Sequence, residues 1–275
     1  MSNIIIAAVG AKRKASAAAA AADDDNEYPC IMRRVRPTDS LVNLNPIHGA
    51  QVVHMRVVHP GAGGDERFVT DVKIGDGASL FHFQLTDAEL GTLQQDMCCE
   101  RPDEYEEFSF MGKRVKHPRK HRAYLRSYFF SGKRHTAVSQ QDTPLSLLRV
   151  MQLIEAVCRV SHHEMRTATF NSALVNWYAN GHEYIAKHAD DERDLVASPT
   201  VATLSLGQER VLRIRRKSGA APILRDVKLK HGSVYIMHGA RFQKDYTHEV
   251  PKVGGKKGEE MGERISVTLR QHADQ

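Results

Sequence analysis

The sequence predicts a mainly β chain with flanking helices (α+β), built on a double-stranded β-helix, or jelly-roll, core. Short runs with strand-like apolar and polar patterns recur along the chain and are separated by glycine-containing turns. About eight such runs follow Thr167, which suits a jelly roll of two sheets. With 275 residues, the chain is long enough to bury a substantial core.

The N-terminal segment, residues 1–27, combines a basic triplet at 12–14, an alanine run and an acidic triplet at 23–25. Such a segment buries too little apolar area to offset the entropy lost on ordering, so it is predicted to be a disordered tail. The basic triplet is either a nuclear import signal or a chance cluster. Residues 28–100 are predicted to form an N-terminal α/β elaboration that packs on a core domain of residues 101–275.

Strands are predicted at 52–58, 68–74 and 80–85. Thr86 and Glu89 then form a capping box that predicts a helix from Asp87 to about Met97. A second helix is predicted to begin at Thr143 as N-cap, with Pro144 in the first helical position. Its apolar residues recur at helical spacing through about Cys158, so it is expected to support the sheet.

The stretch 170–190 predicts a β-hairpin around the Asn180-Gly181 dipeptide, because both residues tolerate positive φ. Residues two apart in a strand point to the same face. One strand would therefore present Asn176 with Tyr178, and the other would present His188 with Asp190. The two polar pairs are expected to face one cavity.

The later strands are predicted at 201–206, 211–216, 223–230, 233–237 and 264–270, with a polar glycine-rich loop at 254–262. Alternation in the last strand puts Ile265, Val267 and Leu269 on one face. Two arginines, Arg264 and Arg270, lie on the other. Buried guanidinium groups need acceptors, which could be a dicarboxylic co-substrate or structural salt bridges to Asp or Glu.

His188 and Asp190 could supply two ligands of an iron site of the two-histidine, one-carboxylate type. The His-x-Asp pattern is weak alone, and it recurs at His272 and Asp274. Only the first copy is followed by a further candidate ligand, His248, about sixty residues later. A barrel can bring such distant strands together.

Residues 108–141 contain no Asp or Glu and interleave basic with aromatic residues. This composition favours a nucleic-acid contact, because cations neutralise phosphates and aromatic rings stack on bases. The alternative is a solvated basic face with ordinary core aromatics. The formal charge of +6 agrees with a nucleic-acid partner if the charge is clustered.

The four cysteines show no paired zinc spacing and no secretory framework, which indicates an intracellular, reducing location. No apolar run is long enough to cross a bilayer, so no membrane association is expected. The nucleus is the expected compartment if the source is eukaryotic or viral. We expect a monomer.

Taken in order, the Asn176-x-Tyr178, His188-x-Asp190, His248 and Arg264-x5-Arg270 motifs resemble the AlkB family of iron(II)- and 2-oxoglutarate-dependent dioxygenases. The resemblance covers about 110–271 and is closest to the branch that repairs alkylated bases. It implies an oxidative demethylase acting on 1-methyladenine- or 3-methylcytosine-type lesions, in DNA more than RNA. Iron(II), 2-oxoglutarate and O2 would be its cofactor and co-substrates, and residues 101–275 its dioxygenase domain.

The resemblance also implies roles for single residues, with no catalytic group beyond the metal site. Iron would be held by His188, Asp190 and His248, and 2-oxoglutarate by Asn176, Tyr178, Arg264 and Arg270. Substrate contacts would come from Tyr128, Phe130, Ser131, Asp191, Glu192, Met111, Lys113 and Arg119.

Two positions depart from the family pattern. Met111 stands where duplex-active members carry an aromatic finger, and Ser266 stands where cellular members usually carry Asn. Methionine can still wedge between bases. Two other functions stay open at this point: an oxygenase acting on a protein or small molecule, and a nucleic-acid-binding module without catalysis.

Overall fold

The computed structural model describes residues 31–34, 52–58, 66–75, 77–130, 133–192, 194–218 and 223–273. The predicted tail and Ser131 lie outside these residues. The strands before the first long helix are β1 (Ile31–Arg34), β2 (Val52–Val58), β3 (Glu66–Gly75), β4 (Ala78–Gln84), β5 (Glu107–Phe110), β6 (Lys113–Lys116), β7 (Lys120–Tyr124), β8 (Tyr128–Phe130) and β9 (Lys133–His135).

The strands after that helix are β10 (Ser172–Tyr178), β11 (Ile185–His188), β12 (Thr200–Gly207), β13 (Arg210–Arg216), β14 (Ile223–Leu229), β15 (Ser233–His238), β16 (Tyr246–Val250) and β17 (Arg264–Arg270). The helices are α1 (Asp87–Leu90), α2 (Leu93–Cys99), α3 (Leu145–Ser161), α4 (Phe242–Asp245) and α5 (Gly255–Glu259). A 3-10 turn, His163–Met165, follows α3.

Two antiparallel sheets carry β10 to β17, which confirms the jelly-roll core and its eight strands. The large sheet has the order β1-β2-β3-β4-β15-β12-β17-β10-β7, and the small sheet has the order β11-β16-β13-β14. Two hairpins, β5–β6 and β8–β9, stand outside both sheets. The N-terminal strands continue the large sheet through the β4–β15 pair. The domain boundary between residues 28–100 and 101–275 stays a prediction.

Alternation along the strands divides the large sheet into an apolar and a polar face. Ile265, Val267 and Leu269 of β17 are buried in a core cluster with the apolar side of α3. The opposite residues of β17, from Arg264 to Arg270, line a cavity between the two sheets. The predicted alternation is therefore confirmed, and the polar face becomes the inner wall of the jelly roll.

The helix α3 begins later than the sequence predicts. Its N-cap is Pro144, and the Thr143 hydroxyl donates to the Ser139 carbonyl at 2.7 Å instead of capping the helix. The Pro144 carbonyl accepts from Leu147 and Leu148, which fixes the first turn. The predicted apolar stripe is confirmed, because Leu147, Val150, Met151, Ile154, Val157 and Cys158 are buried.

The continuous helix predicted from Asp87 is wrong, because it is divided into α1 and α2. The Thr86–Glu89 capping box forms as predicted. Gly91, at φ 52, then ends α1, and its N–H donates to the Asp87 carbonyl. Glycine adopts this positive φ without the strain that a β-carbon would cause, so the chain turns before α2 begins.

The Asn180-Gly181 turn does not join a hairpin, which corrects the prediction for 170–190. β10 pairs with β17 and β7 in the large sheet, whereas β11 pairs with β16 in the small sheet. The guanidinium of Arg210 holds the turn by donating to the carbonyls of Asn180 and Glu183. The chain therefore crosses from one sheet to the other at this turn.

Two smaller corrections concern the ends of elements. β11 ends at His188, so Asp190 follows the strand and does not share it. The predicted loop at 254–262 contains the short helix α5, whose Gly258 packs against the His182 ring.

Within the part of the chain that the structure describes, no helix is both long and apolar enough to span a bilayer.

Candidate functional site

Two histidines from distant parts of the chain meet across the small sheet. His188, the last residue of β11, is the direct register partner of His248 in β16. Their ring centroids lie 4.2 Å apart. Asp190 follows two residues later, and its backbone N–H donates to the side-chain oxygen of Gln243 at 2.9 Å. This bond fixes the chain beyond the strand end and turns the carboxylate toward both rings.

The three side chains form a compact group of potential ligand atoms. His188 Nε2 lies 3.9 Å from Asp190 Oδ1, and His248 Nε2 lies 3.5 Å from Asp190 Oδ2. One ligand atom of each residue falls within 4.8 Å of the other two. This spacing suits three ligands on one face of a metal ion.

Hydrogen bonding leaves the inward-facing atoms available. His188 Nδ1 lies 2.9 Å from the Ala186 carbonyl and donates to it, so Nε2 is the ring nitrogen that faces Asp190. Asp190 Oδ2 is buried and accepts no hydrogen bond among the described residues. A buried carboxylate oxygen without a partner is costly unless another group binds it.

The electrostatics keep the carboxylate charged and a ring neutral. Burial alone would raise the pKa of Asp190, but Arg270 and both histidines outweigh that effect and lower it below its usual range. Arg270 Nη2 donates to Asp190 Oδ1 at 2.6 Å. Burial and the neighbouring His188 lower the pKa of His248 to about 3. Metal binding requires these protonation states, a carboxylate and a neutral imidazole.

Arg264 enters the same cavity from β17 and is only 1% exposed. Its Nη2 donates to the Ser205 hydroxyl at 2.9 Å, and its guanidinium lies 4.9 Å from the centroid of the Tyr178 ring. Its Nε and Nη1 have no hydrogen-bond partner among the described residues. A buried cation with two unused donors is a strong candidate site for a carboxylate ligand.

The two predicted arginines therefore differ in their surroundings. Arg270 is already bound to Asp190, and its Nε lies 3.6 Å from Glu192 Oε1. Arg264 has no carboxylate partner among the described residues. Arg270 thus forms a structural salt bridge, which was one of the two predicted alternatives. Arg264 keeps donors that suit the other alternative, a dicarboxylic co-substrate.

Asn176 also lines the cavity, and its orientation is set by an arginine from the basic segment. Arg119 Nε donates to Asn176 Oδ1 at 2.7 Å, and Arg119 is only 7% exposed. The amide nitrogen of Asn176 is then directed away from Arg119, because the oxygen is used. Arg119 is thus an internal residue and does not belong to the exposed basic surface.

The other predicted substrate residues lie on the β5–β6 hairpin, on β8 and directly after Asp190. Tyr128 stacks on His135, with centroids 4.7 Å apart, and burial raises the pKa of its hydroxyl. Asp191 is exposed and lies 3.7 Å from the Lys217 ammonium. Met111, 87% exposed, forms the tip of the β5–β6 hairpin beside the exposed Lys113. Phe130 belongs to β8.

Two residues that position the site were not identified from the sequence. Gln243 holds the backbone of Asp190, and Ser205 binds Arg264. The alternation of β12 could have indicated Ser205, because its neighbours Leu204 and Leu206 are apolar. The short helix that carries Gln243 has no comparable signal, since its contact depends on tertiary structure.

A jelly roll that brings two histidines, an aspartate and a buried arginine into one cavity defines the class of non-haem iron oxygenases. A sequence profile of the 2OG-Fe(II) oxygenase superfamily matches residues 77–270, more than half of the chain, and the chain belongs to this superfamily. Together with the relatives described next, the match identifies an AlkB-family iron(II)/2-oxoglutarate dioxygenase. The cofactor and co-substrates of this family are iron(II), 2-oxoglutarate and O2.

The DNA oxidative demethylase ALKBH2 of Arabidopsis thaliana is 30% identical over 167 residues, which cover 53% of this chain and 49% of that protein. The human alpha-ketoglutarate-dependent dioxygenase alkB homolog 3 is 41% identical over 91 residues, or 30% of this chain and 32% of that protein. The chain thus spans about half of the length of the first relative and about a third of the length of the second. The structure of OsALKBH1 aligns with a TM-score of 0.46 at 16% identity, covering 71% of this chain and 97% of that one.

Proposed function

We propose that this protein is an oxidative demethylase that removes N-alkyl groups from nucleic-acid bases by direct reversal, from DNA more than from RNA. The observation that carries the proposal is one cavity that combines His188, Asp190 and His248 with the unpaired donors of Arg264. Iron(II), 2-oxoglutarate and O2 are the reagents for which such a cavity is suited.

The residues fit an iron ion on chemical grounds. Two imidazoles and a carboxylate are the donor set of the facial triad, and Asp190 Oδ2 is buried without another partner in the described chain. Arg270 would neutralise part of the aspartate charge and hold its carboxylate in place. We propose that these three residues bind the metal and that Arg270 orients Asp190.

The residues also fit 2-oxoglutarate. Arg264 would bind a carboxylate through Nε and Nη1, and Tyr178 would pack against its guanidinium. Asn176, oriented by Arg119, would contribute a polar contact on the same wall. The resemblance implies that Arg270 contacts 2-oxoglutarate. We propose instead that Arg270 orients Asp190.

When bound, iron(II) with 2-oxoglutarate and O2 supplies the oxidising power that hydroxylates an N-methyl carbon, with release of succinate and CO2. The hydroxymethyl base then loses formaldehyde and returns to its unmodified form. Its C–N bond breaks with the electron pair going to the ring nitrogen, and the hydroxyl group gives up its proton to solvent as formaldehyde forms. The base must first leave its stack, because a stacked base cannot reach a buried site. The flipped base would then bind beside Tyr128 and Glu192.

Two observations support nucleic acid as the substrate. The β5–β6 hairpin exposes Lys113, Arg114 and Lys116 on a strand without acidic residues, so it can bind phosphates. Four of the relatives are named DNA oxidative demethylase. Met111 at the hairpin tip could enter the base stack as an apolar wedge.

The test is an incubation with iron(II), ascorbate, 2-oxoglutarate and an oligonucleotide containing 1-methyladenine or 3-methylcytosine. We expect formaldehyde and unmodified base in equal amounts. Succinate without base repair would instead indicate an oxygenase acting on a protein or small molecule. Oligonucleotide binding without either product would indicate a binding module. Parallel assays on DNA and RNA of the same sequence test the expected preference for DNA.

A further inference from the structure

A second group of metal-type ligands lies outside the cavity described above. It consists of Glu106, just before β5, His121 in β7 and His135 at the end of β9. Among the described residues, this group and the candidate iron site are the two sets of three such ligands within 4.8 Å of one another. The proposed demethylation assigns no role to this second group.

The ligand atoms have the separations of a tetrahedral site. His135 Nδ1 lies 3.1 Å from Glu106 Oε2. His121 Nε2 lies 3.7 Å from Glu106 Oε1 and 3.4 Å from His135 Nδ1. With zinc–ligand bonds of about 2.0 Å, adjacent ligands of a tetrahedral zinc ion lie roughly 3.3 Å apart. An ion can therefore fit between these atoms with only small movements.

The two histidines of the group lie in the interior of the protein. Both imidazoles are about 95% buried, since His121 and His135 are each 5% exposed. Glu106 would contribute the negative charge of the site. A third imidazole, His117, packs 4.9 Å from the His121 ring.

Direct hydrogen bonding accounts for the 3.1 Å separation of His135 Nδ1 and Glu106 Oε2, but less well for the other two separations. Two facing imidazole nitrogens share one proton at most, and the 3.4 Å separation is long for a hydrogen bond. The His121–Glu106 distance of 3.7 Å is longer still. Imidazole nitrogens with one carboxylate form a donor set that zinc commonly uses.

We propose that Glu106, His121 and His135 form a second divalent-cation site, of the zinc type, with a structural role. The three ligands come from three separate segments, two of which belong to or flank hairpins outside the main sheets. A bound ion would attach the β8–β9 hairpin and the start of β5 to β7 of the large sheet. It would also fix His135, on which Tyr128 stacks.

The test uses the full-length protein with the candidate iron site disabled by Asp190→Ala and His248→Ala. The purified variant is stripped with a chelator, dialysed against Zn²⁺ and analysed by metal mass spectrometry. We expect one zinc ion per chain. Adding Glu106→Gln and His135→Gln to this variant should reduce the stoichiometry to near zero. Adding His163→Gln, which changes an exposed histidine, should leave it at one.

Substitution with Co²⁺ provides a second readout that does not depend on activity. A tetrahedral cobalt site gives visible absorption, which reports binding. Glu106→Gln alone, which preserves the side-chain volume, should weaken the cobalt affinity at least tenfold. Circular dichroism in the presence of chelator identifies variants that have lost their fold. The proposal is overturned if the iron-site variant binds no zinc, or if the added Gln substitutions leave stoichiometry and cobalt affinity unchanged. Neither result would affect the proposed demethylation.

Discussion

His188 and His248 lie sixty positions apart in the sequence but directly opposite each other in the β11–β16 pair. This pairing places both rings on the same face of the small sheet, 4.2 Å apart. A slip of one residue would turn one ring to the opposite face. The candidate metal site thus depends on the register of a single antiparallel pair.

Arg264→Lys is expected to raise the KM for 2-oxoglutarate by about 10- to 100-fold. The change removes the guanidinium fork, and hydrogen bonds between charged groups contribute about 1.5–3 kcal/mol. Succinate formation measured against 2-oxoglutarate concentration gives this KM. The matched control is Arg213→Lys, which changes an arginine paired with Asp226 near the surface. An unchanged KM in Arg264→Lys would remove this residue from the co-substrate site.

Arg119→Met tests whether Arg119 positions Asn176 or contacts the nucleic acid. Loss of the 2.7 Å bond to Asn176 should raise the KM for 2-oxoglutarate about 3- to 10-fold, the effect of roughly 1 kcal/mol. Oligonucleotide affinity, measured by fluorescence anisotropy, should change by less than about threefold. The opposite pattern, weaker oligonucleotide binding with a normal KM, would support the direct substrate contact that the sequence resemblance implies.

Charge reversal of Lys113, Arg114 and Lys116 to Glu is expected to weaken oligonucleotide binding and to flatten its salt dependence. The slope of log affinity against log salt should fall by about 2 to 3, since each lost phosphate contact removes nearly one counterion. The control is the exposed pair Lys256→Glu and Lys257→Glu on α5, distant in sequence from the hairpin. Equal slopes in the triple variant and the wild type would exclude the β5–β6 hairpin from the interface.

Met111→Phe is expected to raise activity on duplex substrate relative to single strands by several-fold. Met111 is exposed at a turn where both it and Gly112 have positive φ, so its side chain is free to enter a base stack. An aromatic ring fills the gap left by a flipped base better than a thioether. Repair of matched single-stranded and duplex 3-methylcytosine substrates measures the ratio. A ratio that Met111→Phe leaves unchanged would mean that this turn does not enter the duplex.

Much of the fold could be predicted from the sequence because strand alternation is a local property. The apolar face of β17 and the buried stripe of α3 follow directly from residue spacing. The hairpin at Asn180-Gly181 could not be excluded, because its turn chemistry is the same whether β11 pairs with β10 or with β16. The preference for β16 comes from long-range contacts, including those of Arg210.

The candidate site shows the same difference between what local sequence patterns predict and what long-range contacts decide. His188, Asp190 and His248 follow a recognisable motif order, and the structure brings them together. The separate surroundings of Arg264 and Arg270 are not visible in the sequence, because the two residues occupy equivalent positions on one strand face. The group of Glu106, His121 and His135 was also not identified, since its ligands follow no regular spacing.

We propose that His188, Asp190 and His248 hold one iron(II) ion beside a 2-oxoglutarate bound by Arg264. The most direct measurement is an anaerobic absorption titration with iron(II) and 2-oxoglutarate, in which chelation produces a metal-to-ligand charge-transfer band. We predict that the wild type develops this band at one equivalent of iron and that His248→Ala does not, while Glu106→Gln retains it. An equally intense band in His248→Ala would contradict the claim.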